Sequence, residues 1–127
     1  MKALLDTNII IHREASKIIN QDVGILYRWL DRGGYTKCIH SLTIKEIETY
    51  QDKQIVDTFH IKLSSYERVD IPSPLQEAVV AVSTKFDVNQ NDKNDTQLLN
   101  EVFVGRVDIL ITEDKILPLS LYVTDFF

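Results

Sequence analysis

Short apolar runs alternate with stretches of helical period along this chain, and that alternation is what most restricts its fold. Residues 2–6 form an apolar run short enough to be a fully buried strand. Val23, Leu26 and Leu30 then recur at helical spacing within 22–32, with Ile25 and Trp29 alongside, and Gly33-Gly34 supplies a stop. Thr36–His40 reads as a second strand, Thr43 opens a helix running towards Tyr50, and another helix covers 52–63. Tyr66–Ile71 reads as a third strand, ended by Pro72 and Pro74. Leu75, Ala78, Val79 and Val82 mark the next helix. The polar stretch 89–94 reads as a loop before a further helix that buries Leu98, Leu99, Val102 and Phe103, with Gly105 as its C-cap. Asp108–Ile111 and Leu119–Val123 complete the set as strands four and five. The expected fold is α/β, a central, mostly parallel five-stranded sheet with helices on both faces.

Sheets of this kind gather ligand sites beyond the carboxyl ends of their strands. Four acids fall on that edge. Asp6 follows Ala3-Leu4-Leu5, and Asp114 ends Ile109-Leu110-Ile111-Thr112-Glu113-Asp114. Glu46 begins the helix after strand two, and Asp95 begins the helix that leads into strand four. Carboxylates packed together repel one another unless a cation sits among them, and a divalent ion with oxygen ligands meets that need.

Each acid also has a plain structural reading. Thr43-Ile44-Lys45-Glu46 has the form of a capping box. Asp95 in a first turn would complement the helix dipole, and Asp92-Lys93-Asn94-Asp95 has the spacing of an N-cap and its partner. Asp6 before Thr7-Asn8 suits a turn or a cap, as Asp114 suits the cap of a short helix. The joint pattern carries more than any one position.

Taken together, Leu4-Leu5-Asp6-Thr7-Asn8, Ser41-Leu42-Thr43-Ile44-Lys45-Glu46-Ile47, Asn94-Asp95-Thr96-Gln97-Leu98-Leu99 and Ile111-Thr112-Glu113-Asp114 resemble the signatures of the PIN-domain family of metal-dependent nucleases. The resemblance runs from residue 1 to about residue 125, where Val123-Thr124-Asp125-Phe126 is similar to the family's closing segment. The family's helix before the last strand has little room here, in Lys115-Ile116-Leu117-Pro118. The resemblance implies phosphodiester hydrolysis, usually of RNA, with Mg²⁺ or Mn²⁺ held by the acids. In that reading Asp6, Asp95 and Asp114 ligate metal and Glu46 positions the attacking water. Asn8 and Thr112 support the carboxylates by hydrogen bonds. It further implies the role of toxin in a toxin–antitoxin pair, an antitoxin protein as partner, and a homodimer.

Composition narrows the field. The chain reads as one domain, 1–127, or as the N-terminal part of a longer protein. Lys+Arg 14 against Asp+Glu 19 gives a net charge of -5, which argues weakly against nucleic-acid binding. Two divalent ions would bring it to about -1. Substrate grip falls to scattered cations, of which Arg13, Lys45 and Lys93 are nearest the acids in sequence. Tyr50 and Trp29 are the aromatics suited to stacking on a base, although the apolar stripe around Trp29 predicts a core position. The lone Cys38 reads as a buried thiol, and His12, His40 and His60 lack zinc-ligand spacing. One lysine and three apolar residues before Asp6 make no secretory signal, and no apolar run reaches membrane-spanning length, so the cytoplasm is the expected compartment.

Two other functions compete with the nuclease. One is a non-catalytic PIN-like binding or regulatory module, against which the complete acid set counts. The other is an aspartyl-phosphate phosphohydrolase with Asp6 as nucleophile. That class resembles Asp-x-Asp here, whereas this chain has Asp6-Thr7-Asn8 and lacks the second acid.

Overall fold

The computed structural model describes residues 1–14, 21–86 and 89–112. Its order is β1 (Lys2–Leu5), α1 (Thr7–Glu14), α2 (Gln21–Arg32), β2 (Thr36–His40), α3 (Ser41–Glu48) and α4 (Lys53–Lys62). A 3₁₀ turn at Leu63–Ser65 follows, then β3 (Glu67–Val69), α5 (Glu77–Phe86), α6 (Gln90–Phe103) and β4 (Ile109–Ile111). The strands lie in the order β3-β2-β1-β4, and every pairing is parallel. Leu4 stands opposite Cys38 on one side and Leu110 on the other.

Among the described residues the sheet therefore has four strands, not the five expected. The expected fifth, Leu119–Val123, lies outside them.

Period-two alternation along β1 divides the core between the two faces. Ala3 and Leu5 pack with Ile9, Ile10, Tyr27, Leu30, Ile47 and Phe59 from α1 to α4. Leu4 turns the other way, with Cys38, Val69, Leu98, Val102 and Val107. Helices thus cover both faces, and β1 is buried from both sides.

Two helices end in the same manner. At α2, Tyr35 N–H reaches Leu30 O at 3.0 Å and Gly34 N–H reaches Asp31 O at 3.2 Å, with Gly34 at φ 72°. At α6, Arg106 N–H reaches Glu101 O at 3.0 Å and Gly105 N–H reaches Val102 O at 3.1 Å, with Gly105 at φ 81°. These are Schellman closures, which need a left-handed residue that only glycine adopts without steric cost.

Several expectations change. The triple Ile9-Ile10-Ile11 belongs to α1, a helix the period did not reveal. The polar stretch 89–94 is helix from Gln90 onward rather than loop. Trp29 is 57% exposed, because α2 turns Val23, Tyr27 and Leu30 inward and leaves Ile25 and Trp29 outside. Phe103, at the end of α6, is also exposed.

Candidate functional site

In the order β3-β2-β1-β4 the chain winds outward from β1 through β2 to β3 and then crosses to the other side of β1 as β4, so the winding reverses at β1. The crevice beyond the carboxyl end of such a strand is the natural place for a site in an open parallel sheet. Asp6 occupies it. Its backbone N–H extends the β1–β4 ladder to Ile111 O at 3.0 Å, and its carbonyl starts α1 by accepting from Ile10 N–H at 3.2 Å.

The Asp6 carboxylate is buried and held at both oxygens. Thr7 N–H donates to Oδ1 at 2.6 Å, and the Thr112 hydroxyl donates to Oδ2 at 2.7 Å. Glu46 is held in a similar way from two directions. The Thr7 hydroxyl donates to Oε2 at 2.8 Å, and Asn94 Nδ2 donates to Oε1 at 2.9 Å. Gln90 Nε2 in turn donates to Asn94 Oδ1 at 3.0 Å. Thr7 thus touches both acids, through its backbone N–H and its side chain.

Asp6, Thr7, Asn8, Glu46, Thr49, Tyr50 and Asp95 line a cleft of about 400 Å³. Three of these residues are acids and none is a cation. Every donor atom they offer to a ligand is oxygen, apart from one amide nitrogen, which is the chemistry that suits a hard divalent ion. Among the described residues, however, no group of three His, Cys, Asp or Glu is gathered around one point as an ion would require. Asp114, the fourth acid, lies outside the described residues. Thr112, two positions before it, is the end of the described chain on this side of the cleft.

Glu46 and Asp95 do not sit where local sequence signals place them. The capping box is not formed: α3 begins at Ser41, and its N-cap is His40, whose Nδ1 accepts from Leu42 N–H at 3.1 Å. Glu46 is therefore near the end of α3 rather than its beginning, which frees its carboxylate for Thr7 and Asn94. Asp95 is the sixth residue of α6, beyond the first turn. Of the cations nearest in sequence, Lys45 and Lys93 are exposed and do not line the cleft. Arg13 belongs to a separate cavity of about 370 Å³, where its guanidinium lies 5.0 Å from the centre of the Tyr27 ring.

The residues that sequence reasoning missed are buried and do not line the cleft. His40 and Glu101 are both fully buried, and their Nε2 and Oε2 atoms are 2.7 Å apart. Since His40 Nδ1 accepts from Leu42, the proton is on Nε2 and the imidazole donates to the carboxylate. Burial holds the His40 pKa below the usual histidine value against the pull of Glu101. Arg106 Nη1 adds contacts to Glu101 at 3.2 and 3.4 Å. The signal was available in Leu98-Leu99-Asn100-Glu101-Val102, where two polar residues interrupt an otherwise apolar run; both are fully buried.

No model of a known protein family matches the chain, and no curated protein matches it in sequence. In three dimensions it matches a chain in the crystal structure of VapBC2 from Rickettsia felis bound to a DNA fragment from their promoter. The TM-score is 0.59 at 16% sequence identity, covering 98% of this chain and 92% of that one. The fold is PIN-like. At this identity the likeness is one of fold, and any chemistry must be argued from the cleft itself. In the PIN-like frame the cleft lies at the end of the central strand, with Asp6, Glu46 and Asp95 supplied by β1, α3 and α6.

Proposed function

We propose that this PIN-like chain is a Mg²⁺- or Mn²⁺-dependent ribonuclease acting as the toxin of a toxin–antitoxin pair. The carrying observation is that three carboxylates line one cleft whose lining residues include no cation. Such an arrangement repels itself in the absence of a positive ligand. Asp6 and Asp95 would hold the metal, with Asp114 as a further ligand or the holder of a coordinated water. Glu46 would position the attacking water, while Asn8 and Thr112 orient the carboxylates.

When bound, the ion lowers the pKa of water and neutralises charge developing on the phosphoryl oxygens. The chain's own contribution is orientation. Thr7 and Asn94 fix the Glu46 oxygens, and Thr7 and Thr112 fix those of Asp6. Rotamers locked by such partners reduce the ordering cost at the moment of reaction. The VapBC2 likeness favours the pairing with an antitoxin protein.

A non-catalytic PIN-like module is the second reading. It is favoured by the engagement of both oxygens of Asp6 and of Glu46 within the protein, and by the absence of a gathered acid triad among the described residues.

Cleavage of a mixed single-stranded RNA with Mn²⁺, with chelator and by Asp6→Asn tests the proposal. Metal-dependent cleavage that the substitution abolishes is expected. No cleavage, together with no Mn²⁺ binding by titration, would overturn it in favour of the silent module.

A further inference from the structure

One lining residue has no part in the chemistry proposed for the carboxylates. Tyr50 stands four positions beyond Glu46, past the end of α3, and lines the same cleft while remaining 39% exposed. The connection that carries it is short and fixed at both ends. Thr49 N–H and Oγ1 both donate to Glu46 O, at 3.2 and 2.6 Å, and Tyr50 N–H donates to Ile47 O at 3.1 Å. On the far side Asp52 caps α4, accepting from Gln54 N–H at 3.0 Å and Ile55 N–H at 3.4 Å. Burial and the charge of Glu46 both push the phenol's ionisation above the usual tyrosine range, so it remains neutral.

A partly exposed aromatic on a pinned backbone, beside a wall of carboxylates, suits a ligand group that is flat and uncharged. Phosphates are repelled by the acids until a cation intervenes, whereas the π-face of a nucleobase is not. Two other large rings are exposed among the described residues, Trp29, which stacks on Tyr35 at 5.6 Å, and Phe103 at the end of α6, and neither lines the cleft. The geometry points to Tyr50 as a substrate-positioning residue, a stacking platform for one unpaired base beside the scissile phosphodiester of a single-stranded nucleic acid. The inference rests on the nuclease reading and narrows it, because a base within a duplex has no free face to stack. Stacking of this kind tolerates any base, so it selects strandedness rather than sequence.

The test is steady-state cleavage, in Mn²⁺, of a short single-stranded RNA and of copies each carrying one abasic position. One abasic position should raise KM about tenfold, the effect typical of losing one base–aromatic stack, with kcat changed by less than about twofold. Tyr50→Ala should raise KM for the intact strand by the same factor and erase the difference between intact and abasic strands, and Tyr50→Phe should retain it. Annealing the complementary strand should suppress cleavage. If Tyr50→Ala does not fold, the abasic series on the unsubstituted protein decides alone. Metal-dependent cleavage indifferent to every abasic position, or equally fast on duplex, overturns the stacking role and leaves the nuclease standing. Absence of metal-dependent cleavage of any strand overturns both.

Discussion

The Thr112 hydroxyl donates to Asp6 Oδ2 at 2.7 Å, joining residues 106 positions apart. The bond ties the end of β4 to the end of β1 and holds the most deeply buried acid of the cleft. Thr112→Val keeps the shape and removes the donor. It should cost about 1 kcal/mol of stability and weaken Mn²⁺ binding roughly 10- to 100-fold, read by thermal melting and metal titration. An unchanged titration would separate Asp6 from any metal site.

Charge crowding gives a second expectation. Asp95→Asn removes one of three carboxylates from the cleft, so the metal-free protein should melt about 2–5 °C higher. Added Mn²⁺ should raise the melting temperature of the parent protein and do so less in the variant. If neither shift appears, the acids do not share an electrostatic environment.

The buried imidazole predicts acid sensitivity. Burial lowers the folded-state pKa of His40, so below about 6.5, the ordinary value, the unfolded chain takes up the proton more readily. Stability from this group is complete above that pH and is lost as pH falls towards the lowered folded value. The slope is at most ~1.4 kcal/mol per pH unit. Protonation would also set a second N–H against Leu42 N–H and open the N-cap of α3. Denaturant melts at neutral and mildly acidic pH should show the loss, and His40→Gln should reduce it.

Cys38 should be chemically silent in the folded protein. It is fully buried, and burial with the neighbouring Glu67 carboxylate pushes its thiol up to about 12. The lower thiolate fraction slows reaction with a disulfide reagent by roughly 1,000-fold relative to an ordinary thiol. One thiol should therefore titrate only after denaturation. Rapid reaction under native conditions would mean that β2 is accessible.

The strands β1, β2 and β4 were legible because runs such as Ala3-Leu4-Leu5 and Ile109-Leu110-Ile111 are apolar on successive residues, as strands buried on both faces must be. Helix α1 was hidden by the same logic, since Ile9-Ile10-Ile11 shows no 3.6-residue period. In 89–94 the run of Asn, Asp and Gln has turn composition, yet Gln90 and Lys93 are exposed helical residues and Asn94 turns inward to Glu46. Trp29 misled for a different reason. Helix α2 is amphipathic, with Val23, Tyr27 and Leu30 on its buried face and Tyr27 bonded to Tyr66 at 2.6 Å, and Ile25 and Trp29 fall off that face although they are apolar. The positions of Asp6, Glu46 and Asp95 along one edge followed from topology, whereas the Thr112 hydroxyl at Asp6 and the Thr7 hydroxyl and Asn94 amide at Glu46 come from remote segments that no local spacing could connect.

The pairing of β1 with β4 has a consequence for biosynthesis. Leu5 lies against Ile111, so the central strand waits for more than a hundred further residues before its second edge is covered. Contacts this distant in sequence form late and slowly, after the loop-closure cost between them is met. During translation Asp6 emerges early but acquires Thr112 only when nearly all of the described chain has left the ribosome. A chain interrupted before β4 would carry the first acid without the Thr112 hydroxyl at its second oxygen, so truncated products should lack the proposed nuclease activity.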